Sequence, residues 1–158
     1  MNTTLKQEIL AVLANAADMT IATVREDGYP QATTVSYVND GLAIYFGTGA
    51  SSQKARNLAR NRKVSITINL PYTSWDDIRG VSFGGVAERI AAAHESSRVS
   101  QLMLRKFPQI ANYASAITGE LALFRVTPQV ISLLDYRQGF GHTKLVTAVE
   151  LESGAAAA

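Results

Sequence analysis

One glycine- and serine-rich stretch combines residue types that could hold a phosphate group. An apolar segment, Leu42–Phe46, is predicted to be a buried strand, and Gly47 and Gly49 after it allow a sharp turn and close approach to a ligand. Ser51 or Ser52 can cap the helix that follows, whose first-turn N–H groups and positive dipole end favour an anion. The pattern therefore predicts a phosphate cradle at a strand-to-helix turn.

Side chains of this turn could contact the phosphate directly. Lys54 adds a positive charge in the first helical turn, and the segment from Lys54 to Lys63 holds five of the 15 Lys and Arg residues and no acid. A basic run is also typical of a solvated helix face. Its position after the turn favours phosphate binding, with hydroxyl groups supplied by Thr48, Ser51 and Ser52.

Three strands are predicted before the helix, and a helix from Thr4 to Ala14 precedes them, with Thr4 and Gln7 at capping-box spacing. Short turns join these strands, so we expect a three-stranded antiparallel meander. A polar run on the second strand would then lie beside the strand that carries the cradle. Its backbone groups and hydroxyls could meet a flat polar ligand, although threonine also simply suits a strand. The strands are Met19–Arg25, Gln31–Val38 and Leu42–Phe46, and the run is Ala32–Ser36.

Composition limits the function classes. With 158 residues, 47% of them hydrophobic and 18% charged, we expect one soluble domain, and a net charge of +2 argues against a nucleic-acid binder. The chain has no cysteine, which excludes disulfides and thiolate chemistry, and only two histidines, which argues against a histidine-rich metal site. No signal peptide or membrane-spanning stretch is visible, so a cytoplasmic location is expected.

The rest of the chain completes a mainly β architecture. Strands are predicted at Val64–Leu70, at Val81–Ala91, and at Leu121–Thr127 and Val130–Asp135, which a tight turn would join. The paired glycines of the second of these strands mark either a bulge or a place where another backbone or a ring approaches closely. Helices are predicted at His94–Phe107 and Ile110–Ile117. We expect a six- to seven-stranded antiparallel barrel with capping helices, a single domain over residues 1–150 and a disordered tail at 151–158.

The segment Tyr136–Lys144 is aromatic, polar and interrupted by Gly139 and Gly141. Such a segment could reach over a site and decide what reacts there. His142 is the candidate catalytic residue, because an ordinary histidine pKa of about 6.5 lies near working pH. A surface strand or an arm exchanged between subunits is the alternative interpretation.

Several motifs in this order resemble the FMN-binding split-barrel proteins related to pyridoxamine 5'-phosphate oxidase. The similarity covers roughly residues 17 to 135, and its second motif is the most specific. The motifs are Ile21–Val24 with Asp27–Pro30, then Tyr45–Thr48 with Ser52–Leu58, then Asn61–Ser65, and the next strand, Gly85–Ile90.

The resemblance implies a homodimer with FMN at the subunit interface and a small-molecule substrate. Ser52, Lys54 and Thr48 would hold the phosphate. The run Thr33, Thr34, Val35 and Ser36 would follow the isoalloxazine edge. Asn57 belongs to the same motif as the phosphate ligands and is included among the candidate cofactor contacts.

Departures from the family pattern concern the substrate more than the cofactor. An arginine and a lysine that help to hold the ligands in pyridoxamine phosphate oxidases align with Ala32 and Tyr37, and a flavin-contacting glutamine aligns with Gly80. The C-terminal tryptophan and arginine signature is missing. The resemblance therefore supports the flavin fold rather than the vitamin B6 reaction.

Three functions stay open on the sequence. The first is a flavin-dependent oxidoreductase, in which the cofactor carries the electrons and no catalytic nucleophile is required. The second is a haem-binding protein on the same barrel, with His142 and His94 as candidate axial ligands. The third is a reductase that uses the deazaflavin F420, whose longer anionic tail the basic helix would also suit.

Overall fold

The computed structural model describes residues 4–154, so residues 1–3 of the predicted domain and 155–158 of the predicted tail lie outside the described residues. Within these residues, eight strands form one antiparallel sheet with five α-helices packed around it. The strands are β1 (Asp18–Val24), β2 (Pro30–Ser36), β3 (Val38–Asp40), β4 (Ala43–Gly49), β5 (Lys63–Asn69), β6 (Arg79–Arg89), β7 (Leu121–Asp135) and β8 (Thr143–Thr147). The helices are α1 (Leu5–Asn15), α2 (Gln53–Arg60), α3 (Ala93–Lys106), α4 (Ile110–Tyr113) and α5 (Ala148–Ser153).

The strand order is β2-β1-β5-β6-β7-β4-β3, with β8 added on β7. The two edge strands of this path, β2 and β3, are joined by Tyr37 alone. A flat sheet of seven strands would separate its edges by about 29 Å, whereas Ser36 and Val38 are at most about 7.6 Å apart along the chain. The sheet must therefore curl until its edges approach each other, which confirms the predicted antiparallel split barrel.

The predicted three-strand meander is wrong in one respect. Strand β4 pairs with β7, at the far end of the strand order from β2. A turn at Gly41 and Leu42 folds β4 back on the short strand β3, and within residues 4–154 β2 pairs only with β1. The polar run of β2 is therefore not a hydrogen-bonded neighbour of the strand that carries the cradle.

A second correction concerns the last predicted hairpin, because β7 is one strand of 15 residues that continues through Pro128. The pairing register with β6 shifts between Gly84 and Gly85, opposite this proline. A Cβ on Gly85 would lie 2.6 Å from the Thr127 carbonyl oxygen, so only glycine permits this close approach. The paired glycines thus lie at the predicted bulge, whose unpaired residue is Gln129 of β7, and the bulge accommodates the proline within the strand.

The end of the chain is more ordered than expected. The last two residues of the predicted site tail, Thr143 and Lys144, begin β8, which brings the strand count within residues 4–154 to eight. Residues 151–153, which the sequence analysis places in the disordered tail, are the last residues of α5, which has a capping box between Thr147 and Glu150 and buries Leu151. A capped helix with a buried leucine has a local reason to fold.

Helix α1 packs against the curled sheet, beginning with the predicted Thr4–Gln7 capping box. The buried Tyr37 hydroxyl donates to the Leu13 carbonyl oxygen at 2.6 Å, and burial raises the pKa of the Tyr37 phenol. The Lys106 ammonium lies 3.9 Å from the centroid of the Tyr37 ring. The link between the two sheet edges is thereby fixed to α1 and α3.

None of the helices between residues 4 and 154 has the length and apolar character to cross a bilayer.

Asp135 anchors the segment that follows β7. Its buried carboxylate accepts hydrogen bonds from the Arg137 side chain at 2.6 and 2.8 Å and from the Gln138 amide at 3.3 Å. The Arg137 hydrogen bonds lower the pKa of Asp135 to about 2.

Replacing Asp135 with Asn is expected to lower the free energy of unfolding by about 2 kcal/mol near neutral pH. The folded-state pKa of Asp135 lies below the ordinary value of 3.8. This stabilisation is therefore complete above pH 3.8 and is lost as the pH falls through about 2. Urea unfolding of the parent and the variant, at neutral pH and near pH 3, measures the difference. Asp40→Asn is the matched control, because its pair with Arg98 is exposed and should contribute under about 1 kcal/mol. Equal losses in the two variants would contradict the assignment.

Candidate functional site

The predicted cradle is formed by the end of β4 and the start of α2. Ser52 is the N-cap of α2, and its hydroxyl accepts a hydrogen bond from the Ala55 N–H at 3.1 Å. The Thr48 and Ser52 hydroxyls lie 3.0 Å apart, and the Ser52 N–H donates to the Gly49 carbonyl oxygen at 2.9 Å. Ser51 is exposed beside them. The structure thus brings Thr48 and Ser52 together and assigns the cap to Ser52.

The first turn of α2 faces the same position with its backbone. Among residues 4–154, the N–H groups of Gln53 and Lys54 have no backbone hydrogen-bond partner, as is usual for the first turn of a helix. Together with the helix dipole, such groups favour an anion at this end.

Lys54 provides the charge of the cradle. Its side chain is partly buried, and its ammonium lies 5.9 Å from the centroid of the buried Phe46 ring. Burial lowers the pKa of Lys54. The ion pairs found within the described residues do not include Lys54. A desolvated cation without a carboxylate neighbour is a favourable partner for an incoming anion.

Asn57 has a different position from the other candidate contacts. It is 1% exposed, and its amide donates to the Thr23 hydroxyl at 2.9 Å and to the Gln31 side-chain oxygen at 3.1 Å. The Gln53 amide donates to the Asn57 oxygen at 2.8 Å. Both donors and the acceptor of the Asn57 amide are therefore occupied by the protein. In this structure the side chain fixes α2 to β1 and β2, and direct contact with a cofactor stays a prediction.

The candidate run on β2 is divided between the two faces of the strand. Thr33 and Val35 are half-buried, whereas Thr34 and Ser36 are exposed. The Thr33 hydroxyl oxygen is buried and has no hydrogen-bond partner. In addition, β2 ends the strand order, so its outer edge pairs with no strand in the described part of the chain. This edge offers backbone donors and acceptors to a ligand.

His142 lies far from the cradle of its own chain. The cradle strand β4 ends at Gly49, which pairs with Leu121 at the start of β7. At the opposite end of β7, the Asp135 N–H donates to the His142 carbonyl oxygen at 3.0 Å. A strand of 15 residues is roughly 45 Å long when straight. His142 instead lines a cleft of about 230 Å³ with Glu8 and Lys144. The tail could act at a cradle only if that cradle belonged to a second copy.

The donor set fits the phosphate group that the resemblance implies. Hydroxyl groups, free helix N–H groups and one ammonium meet at the cradle without a carboxylate among the described groups there. The unpartnered Thr33 hydroxyl and the open edge of β2 are two further sites for polar ligand atoms. Within residues 4–154, no group of three or more His, Asp or Glu side chains is arranged to hold a metal ion.

Sequence reasoning missed two contributions to this region. The Phe46 ring beneath Lys54 stacks on Phe124 at 5.4 Å, a contact that depends on the distant pairing of β4 with β7. The Arg56 guanidinium donates to the Ser51 carbonyl oxygen at 2.6 Å and to the Gln53 side-chain oxygen at 2.8 Å. The only sequence signal for the Arg56 contacts was the spacing of Gln53 and Arg56, which places them on one helix face.

The curled sheet and its strand order define a split-barrel protein. A family profile described as pyridoxamine 5'-phosphate oxidase matches residues 5–135. The chain therefore belongs to the pyridoxamine 5'-phosphate oxidase family.

A curated relative agrees with this assignment, and solved structures share the fold. A pyridoxine/pyridoxamine 5'-phosphate oxidase of Vibrio cholerae is 37% identical over 93 residues, which are 58% of this chain and only 42% of that relative. The solved haem-binding protein of Mycobacterium smegmatis has a TM-score of 0.78 at 23% identity, covering 93% of this chain and 59% of that one. HutZ, a haem storage protein of Vibrio cholerae, has a TM-score of 0.67 at 23% identity, covering 80% and 92%. At these identities the two structures show the fold alone.

Proposed function

We propose that the protein is an FMN-binding flavoprotein that acts as an oxidoreductase on a small molecule. The observation that carries this proposal is the partly buried Lys54, without an ion-pair partner in the described chain, beside the Thr48–Ser52 hydroxyl pair at the start of α2. Family membership supports a flavin as the ligand. A bound flavin supplies electron transfer, and the protein supplies position, charge and exclusion of water.

The chain's own groups have separate roles in this proposal. Thr48, Ser52 and Lys54, with the first-turn N–H groups of α2, hold the phosphate, and Ser51 lies at the entrance. The outer edge of β2 and the Thr33 hydroxyl contact the polar edge of the ring system. Asn57 holds the helix in register with β1 and β2, so that the cradle and the ring-binding edge keep a fixed separation.

We propose further that two copies form a homodimer with the cofactor between them. The shape of the proposed site supports this, because the cradle and the free edge of β2 would form only one wall of the cofactor site. A second copy would supply the opposite wall. The tail around His142 is remote from this wall within one chain, and a second copy could place it there. His142 would then be available to donate or accept a proton at the flavin or at the substrate.

Two alternative cofactors have specific support. The two solved structures with this fold are a haem-binding protein and a haem storage protein, and for haem the candidate axial ligands here are His142 and His94. The deazaflavin F420 shares a phosphate with FMN, and the cradle would hold it with the same groups. The absorption spectrum and mass of the ligand released from freshly purified protein distinguish the three. A flavin band with the FMN mass supports the proposal, and a Soret band or a deazaflavin mass would replace it.

Lys54→Ala is expected to weaken FMN binding by about 1.5–3 kcal/mol, because a charge-assisted contact with the phosphate is lost. Ser52→Ala should weaken it less. Quenching of flavin fluorescence during titration gives both affinities. Lys63→Ala is the matched control, since it removes the same charge from an exposed position outside the cradle. Equal FMN affinities in Lys54→Ala and the parent would refute the cradle.

The protein is expected to sediment as a homodimer at micromolar concentration, because a one-walled site needs a second wall to exclude water. Sedimentation velocity with absorbance detection at the flavin band reports mass and cofactor content together. A folded, FMN-saturated monomer would contradict this expectation.

His142→Ala is expected to change the rate of flavin reduction or reoxidation while FMN affinity stays within about threefold, a difference below about 1 kcal/mol. Stopped-flow absorbance measures the rates, and His94→Ala serves as the control because His94 is an exposed residue of α3. Unchanged rates together with a lower melting temperature would assign the tail to structure alone.

A further inference from the structure

Three side chains form an aromatic cluster at the surface beyond the end of β7: Trp75, Tyr136 and Phe140. The Trp75 and Phe140 rings are stacked, with centroids 5.9 Å apart and an interplanar angle of 29°, and the Tyr136 ring meets Phe140 edge-on at 5.2 Å. Trp75 is nevertheless 66% exposed and Phe140 78% exposed. Rings of this size contribute to stability mainly through burial, so the described part of the chain leaves costly apolar surface uncovered here.

Backbone hydrogen bonds join the two segments that carry the aromatic cluster. The Ile78 N–H donates to the Trp75 carbonyl oxygen at 3.2 Å, and the Ile78 carbonyl oxygen accepts from the Tyr136 N–H at 3.0 Å. Tyr136 also lies between Asp135 and Arg137, whose side chains are joined at 2.6 and 2.8 Å. The cluster is therefore built on a fixed backbone before any ligand binds, and a preformed site loses little conformational entropy on binding.

Phe140 is presented at the tip of a tight turn. The His142 N–H donates to the Gly139 carbonyl oxygen at 3.0 Å, which closes a four-residue turn with Phe140 in its second position. Gly141 in the third position has a φ of 75°, the positive value that a type II turn requires there. Because Phe140 and His142 belong to one turn, an arrangement that brings His142 to the cofactor brings the aromatic cluster there as well.

The size of the uncovered surface indicates what it binds. Two exposed rings offer on the order of 300 Å², whereas a stable protein interface buries about 800 Å² on each partner. Exposed charged residues also interrupt the apolar surface, since Asp76 and Asp77 follow Trp75 and Arg137 follows Tyr136. The surface is thus too small for a protein partner by itself. It suits a small conjugated ring system, because such rings stack on aromatic side chains in offset geometry.

We propose that the aromatic cluster binds the conjugated ring of the substrate by stacking, in the cofactor site of the second copy. This inference rests on the proposed function, in which the tail of one copy reaches the flavin of the other. It adds the substrate class, a planar conjugated molecule that lies against Phe140 and Trp75 while His142 exchanges a proton with it. With a quinone as the substrate, the reduced flavin gives up two electrons and two protons, and the quinone becomes the hydroquinone.

Trp75 is the only tryptophan of the chain, so its fluorescence reports on the aromatic cluster directly. The purified protein is titrated with menadione, a planar naphthoquinone, and free N-acetyltryptophanamide gives the quenching that collisions alone produce. The parent is expected to show additional, saturable quenching. Phe140→Ala should weaken menadione binding about fivefold to tenfold because one stacking face is lost, and Phe140→Tyr should restore it. Tyr113→Ala is the matched control, since it removes an exposed ring outside the cluster and should change the affinity less than about twofold.

Reoxidation of the photoreduced flavin tests whether the bound ring is a substrate. Phe140→Ala should lower kcat/KM for menadione about fivefold to tenfold, chiefly through KM, because binding is lost rather than chemistry. Ferricyanide takes one electron per ion and has no conjugated ring to stack. It should therefore reoxidise the parent and the variant at equal rates.

The outcomes separate this inference from the proposed function. Collisional quenching alone in the parent would overturn the inference, as would equal menadione affinities in Phe140→Ala and the parent. Loss of the homodimer in Phe140→Ala, without saturable menadione binding by the parent, would make the cluster a contact between copies and also overturn it. An equal decrease of reoxidation by menadione and by ferricyanide would overturn the assignment to the substrate. Saturable menadione binding by a protein that takes up no flavin would keep the ring site and refute the proposed function.

Discussion

The link of one residue between the two edge strands constrains the whole molecule. Because Tyr37 alone separates β2 from β3, the seven-strand path cannot stay flat, and its curvature creates the interior that the buried side chains fill. The link is itself held in place, since the Tyr37 hydroxyl is bonded to α1 and its ring lies under the Lys106 ammonium of α3. Any change that releases Tyr37 would therefore act on both edges of the sheet at once.

Helix α2 depends on this curvature, because it contacts strands that lie far apart in the strand order. Its N-cap is tied to β4 through Thr48, and its buried Asn57 is tied to β1 and β2 through Thr23 and Gln31. These contacts cannot all form unless β4 and the β1–β2 pair approach each other. The position of the cradle helix between β4 and the β1–β2 pair is thus a property of the closed sheet, although the cradle sequence is local.

Local chemistry explains which features could be predicted from the sequence. The capping box at Thr4, the glycine bulge at Gly84 and Gly85, and the serine cap before α2 all depend on residues within a few positions of one another. The pairing of β4 with β7 joins Gly49 to Leu121, and no short-range pattern encodes that contact.

Three other features could not be predicted from the sequence, because they too depend on contacts between distant residues. Pro128 indicated a turn by its local preference, and the bulge at Gln129 of β7, opposite Gly84 and Gly85 of β6, overrode that preference. The tail around His142 resembled a site by composition, whereas its backbone adds a short helical turn and β8 to the end of β7. Asn57 could be included from the motif, but its saturation by Thr23, Gln31 and Gln53 required the packing of α2.

The charge of Lys54 connects the stability of the fold to the occupation of the cradle. Burial lowers the pKa of Lys54, so the folded protein binds this proton less tightly than the unfolded chain does. By linkage, the Lys54 contribution to the free energy of unfolding increases as the pH rises through its folded-state pKa towards the ordinary value. An anion in the cradle raises that pKa again, because it stabilises the ammonium. An anion that binds only the folded state offsets part of the desolvation cost of the Lys54 ammonium and stabilises the fold. A lysine without a carboxylate partner therefore lowers stability in the ligand-free protein and strengthens binding, as expected for a residue that serves an anion site rather than the core.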